Sequence, residues 1–67
     1  MYSIGDLVVW RGYNNTGVHK ITTLRYLYNV GGYELITHPV NMNKKPWAKV
    51  VNKLQDLDGI LQPAAEV

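Results

Sequence analysis

The stretch "IGDLVVW", residues 4–10, decides how this chain begins to fold. Four apolar residues, Leu7–Trp10, directly follow a glycine and an aspartate. A short apolar run with β-branched and aromatic residues is typical of a strand that is covered on both faces. Gly5 can adopt the backbone angles that a tight entry into the strand requires. The Asp6 carboxylate can accept N–H groups of the neighbouring turn. We therefore predict that the first strand covers residues 7–10.

Turn-forming stretches recur along the rest of the chain. They are "RGYNNTG" at 11–17, "NVGG" at 29–32, "HPVNMNKKP" at 38–46 and "DG" at 58–59. The segments between them are short and rich in β-branched and aromatic residues, which is typical of a small all-β domain. We predict a second strand over 18–28, a hairpin turn at "NVGG", and a third strand over 33–37.

The second strand has an irregular spacing of its apolar residues. Ile21 and Leu24 are three residues apart, whereas the side chains of a regular strand return to the same face every two residues. A β-bulge near Thr22–Thr23 would direct both side chains to one core. The core predicted from the strands and the late turn consists of Val8, Trp10, Ile21, Leu24, Leu35, Val50 and Leu54.

The segment "PWAKVVNKLQDLDG", residues 46–59, is open to two interpretations. Its apolar residues follow helical spacing, but lysines before it and aspartates at its end oppose the helix dipole. The Val50–Val51 pair favours a strand. We predict a strand at 48–51, a short helical turn near residues 52–57, and a final strand at 60–62. The alternative is an α+β fold, with a helix over 46–57 packed on a three-stranded antiparallel sheet.

The chain is short, and its composition limits what it can be. With 67 residues and no cysteine, it forms one domain that no disulfide stabilises. We expect this domain to cover residues 1–62, with 63–67 as a frayed tail that offers little to bury. No apolar run approaches the ~20 residues that span a bilayer, and the N-terminus lacks a signal-peptide pattern. These features predict a cytoplasmic protein.

The residues that carry out catalysis in other proteins are sparse here. His19 and His38 are the only histidines, and neither has an acidic residue at ligand spacing. Ser3, the only serine, lies outside any nucleophile motif. The glycines of "NVGGY" lack the lysine and the helix of a phosphate-binding loop. We therefore predict a non-enzyme that uses no cofactor and no metal.

Charges and aromatic residues suggest a binding surface. Residues 1–53 contain all seven basic residues, whereas residues 54–67 contain three acidic residues and no basic one. In three places a cation lies within two residues of an aromatic side chain, a pairing that suits phosphates and bases and equally suits protein hot spots. The predicted nucleic-acid or partner-binding residues are Arg11, Tyr13, Arg25, Tyr26, Tyr28, Lys44, Lys45 and Trp47. For the tryptophans and Tyr33, burial in the core is the alternative role.

The order of these segments resembles a known layout. "GDLVVW", a glycine loop, "GVHKITTL", a glycine turn, "YELI" and "KVVNKLQDL" together resemble the SH3-like small β-barrels over residues 4–61. That group includes KOW-type nucleic-acid modules, small uncharacterised bacterial and phage proteins, and the plasmid-borne type II dihydrofolate reductases. The resemblance implies a five-stranded small barrel. Fold alone does not imply function.

The residues at the matching positions distinguish between the functions that occur in this group. The type II reductases use a Val-Gln-Ile-Tyr stretch on a late strand, and the matching place here reads "KVVN", residues 49–52, with neither glutamine nor tyrosine. The similarity to KOW modules, in "GDLVVW" and Gly17, implies nucleic-acid binding. We therefore predict a small binding module for nucleic acid. The alternatives are a protein-interaction module or homo-oligomer acting as an adaptor or inhibitor, of a phage or mobile-element type, and a subunit that completes an enzyme pore on assembly.

Overall fold

The chain forms one five-stranded antiparallel sheet. Our computed structural model describes residues 1–41 and 43–67. The strands are β1 (Leu7–Trp10), β2 (His19–Leu27), β3 (Gly32–Pro39), β4 (Trp47–Val51) and β5 (Leu61–Pro63), in the order β4-β3-β2-β1-β5. Strands β4 and β5 are the two edges, and no pairing between them closes the sheet. The mainly β class is therefore confirmed. No helix of the described residues is long and apolar enough to cross a membrane.

Strand β1 begins as the sequence predicts. Gly5 has a φ of 96°, in the region that favours glycine, and its N–H donates to the carbonyl of Ile21 at 2.8 Å. The Asp6 carboxylate accepts the backbone N–H of Ser3 at 2.9 Å. This turn places β1 beside β2, with Leu7 opposite Lys20. Both faces of β1 are covered, because Val8 and Val9 are both buried.

The irregularity predicted in β2 is present. The pairing of β2 with β3 shifts register between Ile21 and Thr23. As a result Ile21 and Leu24 both contact the core although they are three residues apart. After the shift, Leu24 lies opposite Leu35 and the next residues of β2 continue the same alternation.

The segment after residue 46 is a strand followed by a turn, so the alternative of one helix over 46–57 is wrong. Strand β4 pairs along its whole length with β3, from Trp47 opposite Thr37 to Val51 opposite Tyr33. A 3-10 turn over Leu54–Gly59 follows, two residues later than predicted. The Asp56 carboxylate accepts the backbone N–H of Lys53 at 3.1 Å and holds the start of this turn.

The core confirms most of the predicted residues and corrects one of them. Val50 was expected inside but is 52% exposed, and Val51 is buried in its place. The reason is strand periodicity: Val51 lies opposite Tyr33 on the core face, and Val50 lies opposite Glu34 on the outer face. Buried side chains form the centre of the core, namely Val8, Trp10, Ile21, Leu35, Val51, Leu57 and Leu61. Leu24 and Leu54 pack against it from the edge.

The C-terminal residues differ from the frayed tail that the sequence predicts. Pro63 belongs to β5 and lies opposite Val8. Residues Ala64–Glu66 form a 3-10 turn that packs against β1. The predicted domain boundary at residue 62 therefore falls inside β5. Pairing with an already buried strand explains this placement, since β1 would otherwise leave backbone groups unpaired on that side.

Candidate nucleic-acid interface

The aromatic residues form two clusters at opposite ends of the β3–β4 pair. The first, the tryptophan cluster, consists of Trp10, Tyr13, His19 and Trp47. The second, the tyrosine cluster, consists of Tyr26, Tyr28 and Tyr33. Trp47 lies opposite Thr37, and Tyr33 lies four residues earlier in β3. At about 3.3 Å per residue, the two ends are about 13 Å apart along the strand.

Trp47 is the centre of the tryptophan cluster. Its ring centroid lies 5.3 Å from Trp10, 5.3 Å from Tyr13 and 5.2 Å from His19. The Tyr13 and His19 rings meet it edge to face, which is a favoured arrangement for aromatic rings. Trp10 is 6% exposed whereas Tyr13 is 54% exposed. The cluster therefore extends from the core to the surface, with Trp47 between.

A chain of hydrogen bonds holds the buried part of this cluster. The Trp10 Nε1–H donates to Thr37 Oγ1 at 3.0 Å, and His19 Nδ1 lies 3.0 Å from the same oxygen. The Thr16 hydroxyl donates to the carbonyl of Tyr13 at 2.7 Å, and its oxygen lies 3.4 Å from His19 Nε2. Because this hydroxyl has already donated its proton, we infer that Nε2 carries the ring proton and donates to Thr16 Oγ1. Nδ1 then accepts the proton of the Thr37 hydroxyl.

His19 is fully buried, and its surroundings favour the neutral form of its imidazole. Burial lowers the pKa of its imidazole below the usual value, because the charged form loses its hydration, and the nearby ammonium of Lys44 lowers this pKa further. The hydrogen-bonded chain thus connects the first loop, through Tyr13 and Thr16, to the middle of the sheet. This connection positions the exposed ring of Tyr13.

The tyrosine cluster lacks such a chain. Tyr26 lies 5.0 Å from Tyr28 and 5.1 Å from Tyr33, in both cases edge to face. Within residues 1–41 and 43–67, the hydroxyls of these three tyrosines make no hydrogen bond to protein atoms. Tyr33 packs against the core, whereas Tyr28 is 91% exposed. Aromatic contact alone therefore holds the outer part of this cluster.

Each cluster borders a concave surface. A groove of about 480 Å³ lies beside the tryptophan cluster and is bordered by Tyr13, Trp47 and Lys49. A groove of about 630 Å³ lies between the tyrosine cluster and the 3-10 turn after β4, with Tyr2 and Lys53 on its wall. Both volumes are in the range of small-molecule sites, so each can take a planar group of the size of a base.

Two of the predicted cationic residues are used within the fold. The Arg11 Nε donates to the carbonyls of Asp58 and Leu61, both at 3.0 Å, and its Nη1 lies 3.2 Å from Gln62. Arg25 forms a salt bridge with Glu34 at 2.8 Å. It lies on the face opposite to Tyr26, because neighbouring residues of a strand alternate. Arg25 therefore lies apart from the other predicted cations, whereas Arg11, although held by these hydrogen bonds, borders the groove beside Trp47.

The remaining cations follow the edge strand. Lys44 and Lys45 precede β4, Lys49 lies within it, and Lys53 follows it. All four are exposed, and none belongs to a salt bridge in the described part of the chain. Four of the seven basic residues thus follow one edge of the sheet, which we call the lysine edge. Trp47 lies between Lys45 and Lys49, and the tyrosine groove lies at the Lys53 end of the edge.

Sequence reasoning identified most of this surface but missed four residues. Lys49 and Lys53 were not predicted, although the segment "KKPWAKVVNK" (44–53) contains four lysines within ten residues, on both sides of Trp47. That density was the available signal. His19 and Thr37 were missed as parts of the cluster, because their contact joins strands whose register the sequence does not show.

Comparison with known proteins finds no relative of this chain. No family model matches the chain, and no curated protein or solved structure matches it significantly. In the described part of the chain, no three side chains of metal-ligand type lie close enough together to hold a metal ion. The geometry of the two clusters and the lysine edge therefore carries the functional argument.

Proposed function

We propose that this protein is a non-enzymatic module that binds single-stranded nucleic acid through the tryptophan cluster and the lysine edge. One observation carries the proposal. Two aromatic rings with exposed surface, Tyr13 and Trp47, border a groove together with Lys49, which has no carboxylate partner among the described residues. In this arrangement the rings stack on bases and the ammonium groups contact phosphates.

The geometry favours a single strand over a duplex. A base that stacks in the groove beside Trp47 must leave its own stack, which costs more in a duplex than in a single strand. Stacking on an aromatic side chain contributes about 1–3 kcal/mol per base. Each lysine contact to phosphate releases counterions and makes the affinity dependent on salt. Sequence preference is weak in such a site, because every base presents an aromatic face.

We also propose that the open sheet is a variant of the SH3-like layout that the sequence resembles. The strand order β4-β3-β2-β1-β5 supports this, together with the 3-10 turn between β4 and β5. The sharp register shift within β2 supports it further, since such shifts bend a strand and let one strand contribute to two parts of a small barrel.

A protein partner or a second copy of this chain is the second candidate, and one observation favours it. On the outer face of β3 and β4, Ile36 lies opposite Ala48, and Val50 beside them is 52% exposed. This face carries more apolar surface than a solvated sheet face needs. Sedimentation over a range of protein concentrations tests self-association, and Val50→Lys should abolish it.

The test of the main proposal is a titration with labelled oligonucleotides at several salt concentrations. We expect a single strand to bind more tightly than a duplex of the same length. For four lysine contacts, the log–log slope of affinity against salt should be about −2 to −3. Lys44→Ala with Lys45→Ala should make that slope shallower by about 1 to 1.5, because two contacts are lost.

The control is Lys20→Ala, which removes an exposed lysine from β2, away from the lysine edge. It should leave the slope almost unchanged. Absence of binding to either oligonucleotide at low salt, with protein in the hundred-micromolar range, would contradict the proposal, because non-specific binders reach about 10⁻⁴ to 10⁻⁶ M.

A further inference from the structure

We propose that the tyrosine groove is a second base-stacking site on the same ligand path, so that the ligand is a single strand at least about four nucleotides long. This inference rests on the proposed function and extends it. In this account the nucleic-acid strand runs from the tryptophan cluster along the lysine edge to the tyrosine cluster. The protein then distinguishes ligands by their length and by whether they are single-stranded, and not by their sequence.

The register of the strands places both clusters on the same face of the sheet. Trp47 lies opposite Thr37, and Val51 lies opposite Tyr33, which in turn lies opposite Tyr26. Residues 33 and 37 are four apart in β3, and residues at even spacing share a face. This face is also the core face, where Leu35 and Val51 are buried between the clusters, so a ligand reaches both clusters along the exposed edge of β4.

The residue between the two clusters is a lysine. Lys49 lies opposite Leu35, so it is on the core face of β4, yet it is exposed. This is the one position of β4 where the core face is open to solvent in the middle of the strand. Lys53 and Asn52 border the tyrosine groove at the far end. Two cations, Lys49 beside the first groove and Lys53 beside the second, are thus available along the path.

The outer part of the tyrosine cluster, Tyr26 and Tyr28, does little for the fold, and this distinguishes it from the tryptophan cluster. Tyr28 is 91% exposed and its ring contacts Tyr26, itself an exposed residue. Solvent-exposed aromatic rings that pack edge to face present one open face, which is the surface that a base stacks on. The groove is bordered by Tyr26 and Tyr33, by the 3-10 turn and by Tyr2, and Tyr28 adjoins it through its contact with Tyr26.

The spacing sets the length of the ligand. The ends of the path are about 13 Å apart, at about 3.3 Å per residue. Successive phosphates of a strand that keeps its stacking are about 3.4 Å apart along the axis. A strand of about four nucleotides is therefore long enough to reach both stacking sites, and unstacking of its bases only adds to its reach. This is at the lower end of the site sizes of about 4–16 nucleotides known for small barrels that bind single strands.

The chain contains a natural probe for the first site. Both of its tryptophans, Trp10 and Trp47, belong to the tryptophan cluster, and the tyrosine cluster has none. Quenching of tryptophan fluorescence by oligothymidylate therefore reports occupancy of the first site, whatever the length of the oligonucleotide. Oligonucleotides of about three and about eight nucleotides separate one-site binding from two-site binding.

The experiment compares three variants with the unmodified chain. We expect the longer oligonucleotide to bind at least about tenfold more tightly than the shorter one. Tyr28→Ala should weaken binding of the longer oligonucleotide by about 5- to 10-fold and leave the shorter one unchanged, in line with the loss of one stacked base. Tyr28→Phe should keep the affinity, and Tyr13→Ala should weaken binding of both lengths.

Equal effects of Tyr28→Ala on both lengths, or no effect on either, would overturn this inference. If Tyr13→Ala still weakened binding in that case, the proposed function would stand without the second site. If neither length quenched the fluorescence at low salt, the proposed function and this inference would both be wrong. Because Tyr28 is on the surface, we expect its variants to stay folded, so that a change in their affinity for the oligonucleotide reflects binding. A thermal melt of each variant checks this.

Discussion

The two aromatic clusters are built from similar residues but are held in different ways. In the tryptophan cluster, Trp10 and His19 are buried and share Thr37 through hydrogen bonds. In the tyrosine cluster, edge-to-face contacts alone hold Tyr26 and Tyr28, and both are exposed. The first cluster is therefore part of the fold and also part of the proposed site. The second is available for binding without a structural role of the same size.

The difference between the clusters shows how a very small domain can stabilise its fold and still expose aromatic side chains. A chain of 67 residues has a marginal core, so one of its two tryptophans fills that core while the other extends it to the surface. The tyrosines at the other end add area near the surface, where their loss costs little.

The largest effect should come from the buried tryptophan. Trp10→Ala removes a ring that is 6% exposed and should lower the free energy of unfolding by about 3–5 kcal/mol. Tyr28→Ala, the matched aromatic truncation at the other end, should lower it by less than about 0.5 kcal/mol. Urea denaturation followed by circular dichroism measures both. Similar losses in the two variants would contradict the division between the clusters.

A smaller loss should follow when the hydrogen-bonded chain is broken. Thr37→Val keeps the shape of the side chain but leaves Trp10 Nε1–H and His19 Nδ1 without their partner. An unpaired buried polar group costs about 1–3 kcal/mol, so we expect a loss of about 2 kcal/mol. Thr37→Ser keeps the hydroxyl and should lose less. If Thr37→Ser were as unstable as Thr37→Val, packing rather than hydrogen bonding would hold the cluster.

The stability of the tryptophan cluster should depend on pH through His19. Its pKa is lowered in the folded state by burial and by Lys44. The unfolded chain therefore binds this proton more readily, so the stabilisation is complete above the ordinary histidine pKa of about 6.5. It is lost as the pH falls through the lowered pKa of the folded state. His19→Gln should make stability less dependent on pH in that window.

The control for this pH dependence is the second histidine. His38→Gln changes an exposed residue on the outer face whose Nδ1 lies 2.7 Å from Thr22 Oγ1, so the pH profile of the unmodified chain should persist. Thermal melts between about pH 5 and 7.5 give both profiles. If His38→Gln flattened the pH profile and His19→Gln did not, the pH dependence would come from His38, and this prediction for His19 would be wrong.

The smallest effect should come from the salt bridge beside the tyrosine cluster. Arg25 and Glu34 form a contact of 2.8 Å, but the Arg25 side chain is 67% exposed. Surface ion pairs contribute about 0–1 kcal/mol. Arg25→Ala should therefore leave the melting temperature almost unchanged in physiological salt. A double-mutant cycle with Glu34→Ala measures the pair, and a coupling well above this range would show that the tyrosine end is more rigid than its contacts indicate.

Local patterns in the sequence were sufficient for much of the fold. The apolar run at 7–10 and the three-residue spacing of Ile21 and Leu24 identified a strand and a bulge, because each depends on neighbouring residues only. The position of Val50 was wrong, since either member of the Val50–Val51 pair fits the core until the register with β3 is known. The docking of residues 63–66 on β1 depends on a contact between distant parts of the chain.

The candidate site was predicted less completely for the same reason. The aromatic members were recognisable as side chains next to cations, but the sequence did not show that Arg11, which borders the groove beside Trp47, also holds the backbone near Asp58 and Leu61. That role follows from a distance in space and not from its neighbours in sequence. The division of the aromatic residues into two clusters likewise follows from the pairing of β2, β3 and β4, which no local pattern encodes.

The central claim is that a single strand lies along the lysine edge between the two clusters. Amide chemical-shift mapping with unlabelled oligothymidylate of about eight nucleotides tests it most directly. We predict that the largest shifts occur over residues 44–53, at Tyr13 and at Tyr26, with little change at Lys20, Arg25 and His38 on the outer face. Shifts concentrated on that outer face, or none with protein in the hundred-micromolar range at low salt, would contradict the claim.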